Sequence, residues 1–251
     1  MNIVTKVESW LEFRKLLTDK KIGFVPTMGH LHDGHGSLFK RAKQENDIVV
    51  ASIFINPTQF NQSNDFANYP RTLDHDVAFL QSFEVDYLFL PEASEIYPDD
   101  YQFQMTENVL SVELEGEYRP GHFNGMLTVV LKLLNIIQAD RAYFGEKDYQ
   151  QLLLVEKMVK ALFLPVKIIP CETIRAKDNV ALSSRNSRLN EEQRLKASHF
   201  PRLLQSELSS FEITDELKKL GFKVDYIVEK WQRRLGAVWL DDIRLIDNFS
   251  L

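Results

Sequence analysis

Short apolar runs alternate with amphipathic stretches over the first two thirds of the chain, and no other feature of the sequence restricts its fold as strongly. Residues 22–25, 48–55, 87–90, 142–144 and 166–169 are rich in Val, Ile, Leu, Phe and Tyr, the composition of strands buried on both faces. Between them, residues 36–46, 73–83, 123–137 and 149–163 place apolar side chains at helical intervals. Strand followed by helix, repeated, predicts an α/β fold in which a parallel sheet is covered by helices on both faces. In such sheets phosphate-bearing ligands bind at the carboxyl ends of the strands.

The pattern changes after Pro170 to a polar loop rich in Ser, Asn and Arg, then a helical stretch from Glu191, then a last segment, 238–247, that reads as one strand. We place a boundary near residue 173. Residues 1–173 form a Rossmann-like, doubly wound domain, and residues 174–251 form a small α+β domain. Residues 1–173 carry 16 basic and 24 acidic side chains, and residues 174–251 carry 14 and 12. The mildly basic second piece suits phosphate, whereas the net charge of −6 argues against a sequence-independent grip on nucleic acid. No apolar run approaches the roughly 20 residues that span a bilayer. The N-terminal residues lack a basic stretch followed by an apolar core, which predicts a cytoplasmic protein with no membrane partner. Cys171 is the sole cysteine, so neither an intrachain disulfide nor a multi-cysteine metal site is available, and it reads as a small buried hydrophobe.

The segment 24–35, Phe-Val-Pro-Thr-Met-Gly-His-Leu-His-Asp-Gly-His, runs from a strand through a glycine-containing turn into a helix. Gly34 permits close backbone approach, and the helix start offers unpaired N–H groups and a positive dipole end to a phosphate. His32 and His35, three apart, fall on one side of that start and can address the same phosphate. Zinc held by His30, His32 and His35 is the competing reading. Three ligands so close in sequence, without cysteine or an acidic fourth, fit it poorly. Lys147 and Asp148 open the helix that follows the strand ending at Phe144-Gly145, where a lysine meets phosphate oxygens and an acid suits the helix dipole. Ser183, Ser184 and Arg185 lie in the polar loop near the boundary, where two hydroxyls and a planar guanidinium can grip a triphosphate.

These segments together resemble the pantothenate synthetase (pantoate–β-alanine ligase) family, within the His-x-Gly-His nucleotidyltransferases. The matching stretches are Pro26-Thr27-Met28-Gly29 with His32-Asp33-Gly34-His35, residues 52–60 (Ser-Ile-Phe-Ile-Asn-Pro-Thr-Gln-Phe), Tyr69-Pro70-Arg71, and residues 115–123 around Arg119-Pro120-Gly121-His122. Then come residues 144–151 (Phe-Gly-Glu-Lys-Asp-Tyr-Gln-Gln), Leu182-Ser183-Ser184-Arg185-Asn186 and Arg244-Leu245-Ile246-Asp247-Asn248. They follow the family's order and span nearly the whole chain.

The resemblance implies an AMP-forming acid–amine ligase. ATP, with Mg2+, and pantoate would give pantoyl adenylate and pyrophosphate, and β-alanine would then displace AMP to give pantothenate. It assigns catalysis to His32, His35, Lys147, Ser183 and Arg185. ATP binding would add Pro26, Thr27, Met28, Gly29, Gly34, Gly145, Glu146, Asp148, Val180, Leu182 and Ser184. Pantoate would meet Met28, Gln59 and Gln151, with Asn56, Tyr69, Arg119 and His122 completing the pocket. Magnesium would arrive chiefly on the ATP phosphates, with Asp148 near ribose or the ion. The apolar stretch 126–137 reads as core or as the interface of a homodimer. His30, Gly36 and Asn179 depart from the family's usual residues, Asn179 standing in place of a glycine. Two other functions compete: an adenylate-forming relative that serves a different acceptor, such as tRNA, and a silent nucleotide-binding scaffold.

Overall fold

The computed structural model of the chain describes residues 1–61 and 66–251. It divides into two compact units, one made of Met1–Leu31, His35–Gly145 and Gln150–Cys171, the other of His32–Gly34, Glu146–Tyr149 and Glu172–Leu251.

Six strands make the sheet of the first unit: β1 (Asn2–Val4), β2 (Ile22–Thr27), β3 (Ile48–Ile53), β4 (Tyr87–Phe89), β5 (Arg141–Gly145) and β6 (Lys167–Cys171). All pairs are parallel, in the order β1-β4-β3-β2-β5-β6. The five strands read from the sequence are present, and β1 was missed. Three residues long and exposed at two of them, β1 carries no periodicity to read. The helix Val7–Leu16 that follows it was missed as well, since it buries only Trp10. One core cluster joins Val25, Phe39, Val49, Ala51, Leu80, Leu88 and Tyr143, none more than 2% exposed, with Val85. Met126, Leu127, Val129, Val130, Leu133, Leu134 and Ile137 of the helix His122–Ile137 are buried within this chain, which favours the core reading of that stretch. Cys171 is buried too.

The second unit contains a three-stranded antiparallel sheet of β7 (Lys223–Lys230), β8 (Arg233–Leu240) and β9 (Ile243–Ser250). Residues 238–247 are therefore not one strand: Leu240 pairs with Ile243 across a two-residue turn at Asp241 and Asp242. Neither turn of this sheet holds the glycine or asparagine that marks a hairpin in sequence. Asp241 takes φ 54°, and Trp231 and Gln232 take φ 55° and 58°, as the tight turn between β7 and β8 demands of both central residues. The helices Glu191–Ala197, His199–Leu204 and Ser210–Lys219 supply Ala197, Phe200, Leu204, Ile213 and Leu217 to a cluster with Val238, Leu240 and Ile243. Gly236 lets β8 approach them, since a Cβ there would stand 2.9 Å from Phe200 and 3.1 Å from Leu204. Asn190 and Ser209 begin two of these helices with reciprocal capping boxes, each stabilising its helix by about 1 kcal/mol.

Candidate active site

From β2 the chain winds outward through β3 and β4, then returns to place β5 and β6 on the other side of β2. The topological switch point thus lies between β2 and β5, where ligands of doubly wound sheets bind. Pairing between these strands runs through Gly23↔Arg141 and Phe24↔Ala142, leaving the carboxyl ends of both without a mutual ladder. Pro26 and Thr27 close β2, Met28 and Gly29 follow it, and Gly145 closes β5. Local hydrogen bonds fix the turn after β2. Thr27 Oγ1 donates to the Ser52 carbonyl at 2.7 Å and accepts the Gly29 N–H at 3.2 Å. Gly29 and His30 both take left-handed φ, 80° and 51°. The buried Asp76 carboxylate accepts the N–H groups of His30 and Leu31, each at 2.8 Å. His30 Nδ1 lies 3.3 Å from Thr72 Oγ1.

The helix expected from residue 36 begins at Asp33. His32 directly precedes it and His35 lies in its first turn, both half-buried. His32 Nδ1 accepts the Gly34 N–H at 3.1 Å. Because Nδ1 is an acceptor in the neutral ring, the proton sits on Nε2, leaving that nitrogen a donor. A Cβ on Gly34 would stand 2.8 Å from Cε1 of the same ring and 3.5 Å from the Leu182 Cβ, so glycine permits both approaches. Gly36, one of the departures, lies where a Cβ would come within 2.5 Å of the Phe83 ring; the aromatic ring occupies the space a side chain would fill.

A second group in the first unit centres on the short turn Pro57–Gln59. Asn56 is buried, with Nδ2 donating to Gln59 Oε1 and to the Gly125 carbonyl, each at 3.1 Å. Its Oδ1 accepts from Tyr97 at 2.7 Å. Burial pushes the Tyr97 phenol up to about 12, so it stays a donor. Gln59 Nε2 lies 2.9 Å from Met28 Sδ. His122 Nδ1 donates to the Gln59 carbonyl at 2.8 Å, the assignment required because Arg119 Nη1 donates to Nε2 at 3.0 Å. Met28, Asn56, Gln59, Arg119 and His122 are therefore one connected set. Tyr69 is buried edge-on against Phe60. Gln151 is half-buried, while its neighbour Gln150 is buried and bonded to Leu110, Glu113 and Glu115 backbone.

In the second unit, Glu146–Asp148 form a single tight helical turn before the α-helix Tyr149–Ala161. Lys147 and Asp148 thus precede the α-helix rather than open it. Asn248 Nδ2 donates to the carbonyls of Glu146 and Lys147 at 2.9 and 3.0 Å. Arg175 forks onto Asp247 at 2.7 and 2.9 Å and pairs in a bridge with Ala181. Burial raises the Asp247 carboxyl above its ordinary range, and Arg175 opposes that shift. The loop continues through Val180 and Leu182 to Ser183, whose hydroxyl accepts the Arg185 N–H at 3.3 Å at the start of the turn Ser184–Arg188. Asn179 takes φ 68°, a conformation that glycine adopts freely and asparagine tolerates. The glycine that the resemblance expects at this position would adopt the same conformation without strain. Among the described residues no three His, Cys, Asp or Glu side chains are grouped to hold a metal.

The profile of a family described as Pantoate-beta-alanine ligase matches residues 1–250. This chain belongs to that family. The resemblance read from its motifs is borne out, and the chain is a ligase. A protein named Pantothenate synthetase from Legionella pneumophila (strain Corby) is 50% identical over 252 residues, covering 100% of both chains. One from Coxiella burnetii (strain Dugway 5J108-111), with the same name, is 48% identical, covering 98% of this chain and 95% of its own. Among solved structures, a pantoate-beta-alanine ligase from Francisella tularensis, complexed with beta-gamma ATP and beta-alanine, is 44% identical with a TM-score of 0.96. The match covers 100% of this chain and 97% of that one. A pantothenate synthetase from Thermus thermophilus is 40% identical at a TM-score of 0.90, covering 100% and 99%. These likenesses bear out the α/β fold with its small antiparallel C-terminal sheet. Three residues of this pantoate–β-alanine ligase family member escaped the sequence reading: Asp76, Tyr97 and Arg175. Asp247 and Asn248 close the stretch Arg244–Asn248, whose residues were legible in the sequence and whose bonds were not.

Proposed function

We propose that this chain condenses pantoate with β-alanine in two steps through a pantoyl adenylate. A pantoate carboxylate oxygen attacks the α-phosphorus of ATP. The bond to the β-phosphate breaks and pyrophosphate leaves. The β-alanine amine then attacks the acyl carbon, loses a proton and expels AMP, giving pantothenate. The observation that carries this reading is the His32–Gly34 contact at the helix start after β2. It orients a neutral imidazole with Nε2 as donor, beside a helix terminus suited to phosphate. Together with His35 it would stabilise charge growing on the α-phosphate, and losing one such donor costs about 2.7–4 kcal/mol of barrier.

Lys147 and Arg185, with Ser183 and Ser184, are assigned to the outer phosphates. Pro26, Thr27, Met28, Gly29, Gly145, Glu146, Asp148, Val180 and Leu182 are assigned to the nucleotide. Gln59 and Gln151 are assigned to the pantoate hydroxyls and carboxylate, which suit amide donors and acceptors, with Asn56, Tyr69, Arg119 and His122 around them. Magnesium belongs to the reading as the ion carried on ATP, a mode that needs one or two carboxylates at most, and the exposed Asp148 could supply one. The proposal includes a cytoplasmic homodimer. Exposed Phe103, Val109 and Val112 supply apolar surface for it, and light scattering tests the mass.

The test is release of pyrophosphate and AMP with ATP, Mg2+ and pantoate, with and without β-alanine, beside His35→Ala. Pyrophosphate that requires pantoate, AMP turnover that requires β-alanine, and collapse of both in the variant are expected. Pyrophosphate release indifferent to pantoate would reject the substrate.

A further inference from the structure

Asp247 and Asn248, adjacent in β9, are each 3% exposed, far more buried than hydrophilic side chains near a chain end need be. Both ends of the Asn248 side-chain amide are used. Nδ2 donates to two successive carbonyls, Glu146 at 2.9 Å and Lys147 at 3.0 Å, and Oδ1 accepts from Arg233 Nη1 at 2.7 Å. Arg233 Nη2 reaches Glu146 Oε2 at 2.6 Å, and its guanidinium carbon lies 4.3 Å over the ring of Tyr149. The turn that carries Lys147 is thus gripped by its backbone, by the side chain before it and by the ring after it. Only a side chain with two protons on one nitrogen and an acceptor beside it makes all three Asn248 bonds.

Asp247 fastens a different segment. It binds Arg175 at 2.7 and 2.9 Å, and Arg175 donates to the Asn179 carbonyl at 3.1 Å and bridges to Ala181, two residues before Ser183. Neighbouring residues of one strand therefore hold two segments of this unit to which phosphate contacts are assigned, the turn that carries Lys147 and the loop that carries Ser183 and Arg185.

We propose that Asn248 is a positioning residue for Lys147, acting through the backbone of the turn Glu146–Asp148, and that Asp247 does the same for the Ser183–Arg185 loop through Arg175. The proposal rests on the assignment of Lys147 to ATP. Lysine carries its charge on a flexible stem, so the place of its ammonium depends on where the backbone is anchored. Misplacement by about 1 Å can cost about 100-fold in rate.

The experiment is a double-mutant cycle of Asn248→Asp with Lys147→Ala, read by pantoate-dependent pyrophosphate release. Aspartate keeps the oxygen that meets Arg233 and sets a second oxygen against two carbonyls. Asn248→Asp is expected to lower kcat by about 100-fold and leave the KM for pantoate within about twofold. The double variant should be no slower than Lys147→Ala, because the asparagine acts only through that lysine. Wild-type rates in Asn248→Asp, or losses that multiply in the double variant, would overturn the proposal. If Asn248→Asp does not fold, Arg233→Lys weakens the same grip and leaves the asparagine in place. A loss of about 10-fold that merges with Lys147→Ala supports the proposal, and one that multiplies rejects it. If the wild-type protein gives no pantoate-dependent pyrophosphate, the functional reading fails separately. Thermal stabilisation by ATP then serves as readout: its loss in both single variants sustains the positioning role, and its retention in Asn248→Asp refutes it.

Discussion

Asp76 holds His30 in a left-handed conformation by accepting its N–H at 2.8 Å, while the other oxygen of the same carboxylate accepts the N–H of Leu31 at 2.8 Å. Each oxygen of this buried carboxylate thus takes one backbone N–H, and Thr72 Oγ1 adds a longer bond to Oδ2 at 3.3 Å. Asn at 76 would keep one acceptor and turn an amide donor toward the other N–H, leaving it unsatisfied. Asp76→Asn should therefore destabilise the protein by about 1–3 kcal/mol. Urea denaturation measures the loss, and pyrophosphate release should fall with it because the turn leads from β2 to His32.

Gly34→Ala separates the needs of folding from those of chemistry. Alanine in the first turn of a helix improves local propensity by up to about 1 kcal/mol, yet its Cβ would lie 2.8 Å from the His32 ring. The ring is a half-buried side-chain end and must shift, giving up its bond to the Gly34 N–H among its contacts. The melting temperature should hold or rise while kcat falls by about 100-fold. A coupled measurement of melting and turnover on one preparation decides it; retained turnover would remove the ring's orientation from the mechanism.

How far the sequence reveals such features depends on whether they are local. The β2 turn and its helix were legible because glycine, proline and histidine act on neighbours within a few residues. The parallel strands were legible because burial on both faces writes a continuous apolar run. Asp76 was not, since nothing distinguishes it from Asp74 in the helix Leu73–Ser82 until the chain folds and brings residue 30 to it. Asn248 is about a hundred residues from the carbonyls it binds. The β8–β9 turn was missed for a different reason. Asp241 adopts positive φ with no glycine to announce it, so two strands separated by two aspartates merged into one.

Two buried phenols predict an alkaline limit to stability. Burial is the first cause in both Tyr97 and Tyr143, and each is pushed from 10.0 up to about 12. Below pH 10 the phenol is neutral in folded and unfolded chains alike, so the shift has no effect on stability. Above pH 10 the unfolded chain ionises first, and stability is lost progressively to about pH 12. Melting curves across that interval should fall less steeply for Tyr97→Phe and Tyr143→Phe than for the parent. Parallel slopes would mean that these phenols ionise freely in the folded protein.

His122 offers a test of the pantoate assignment alone. Its Nδ1–H donates to the Gln59 carbonyl at 2.8 Å, and Arg119 holds the opposite nitrogen at 3.0 Å, so the imidazole is a rigid strut behind the glutamine. Replacing it with alanine removes that bond and leaves the carbonyl of a buried residue short of a partner, a loss of about 1–3 kcal/mol. If about half of that reaches the bound acid, the KM for pantoate rises by about 2- to 10-fold. The KM for ATP should stay within about twofold, because no ATP contact is assigned to Gln59. Steady-state kinetics with each substrate varied in turn separates the two. An equal rise in both constants would place His122 in general stability, whereas a rise confined to ATP would move Gln59 from the acid to the nucleotide.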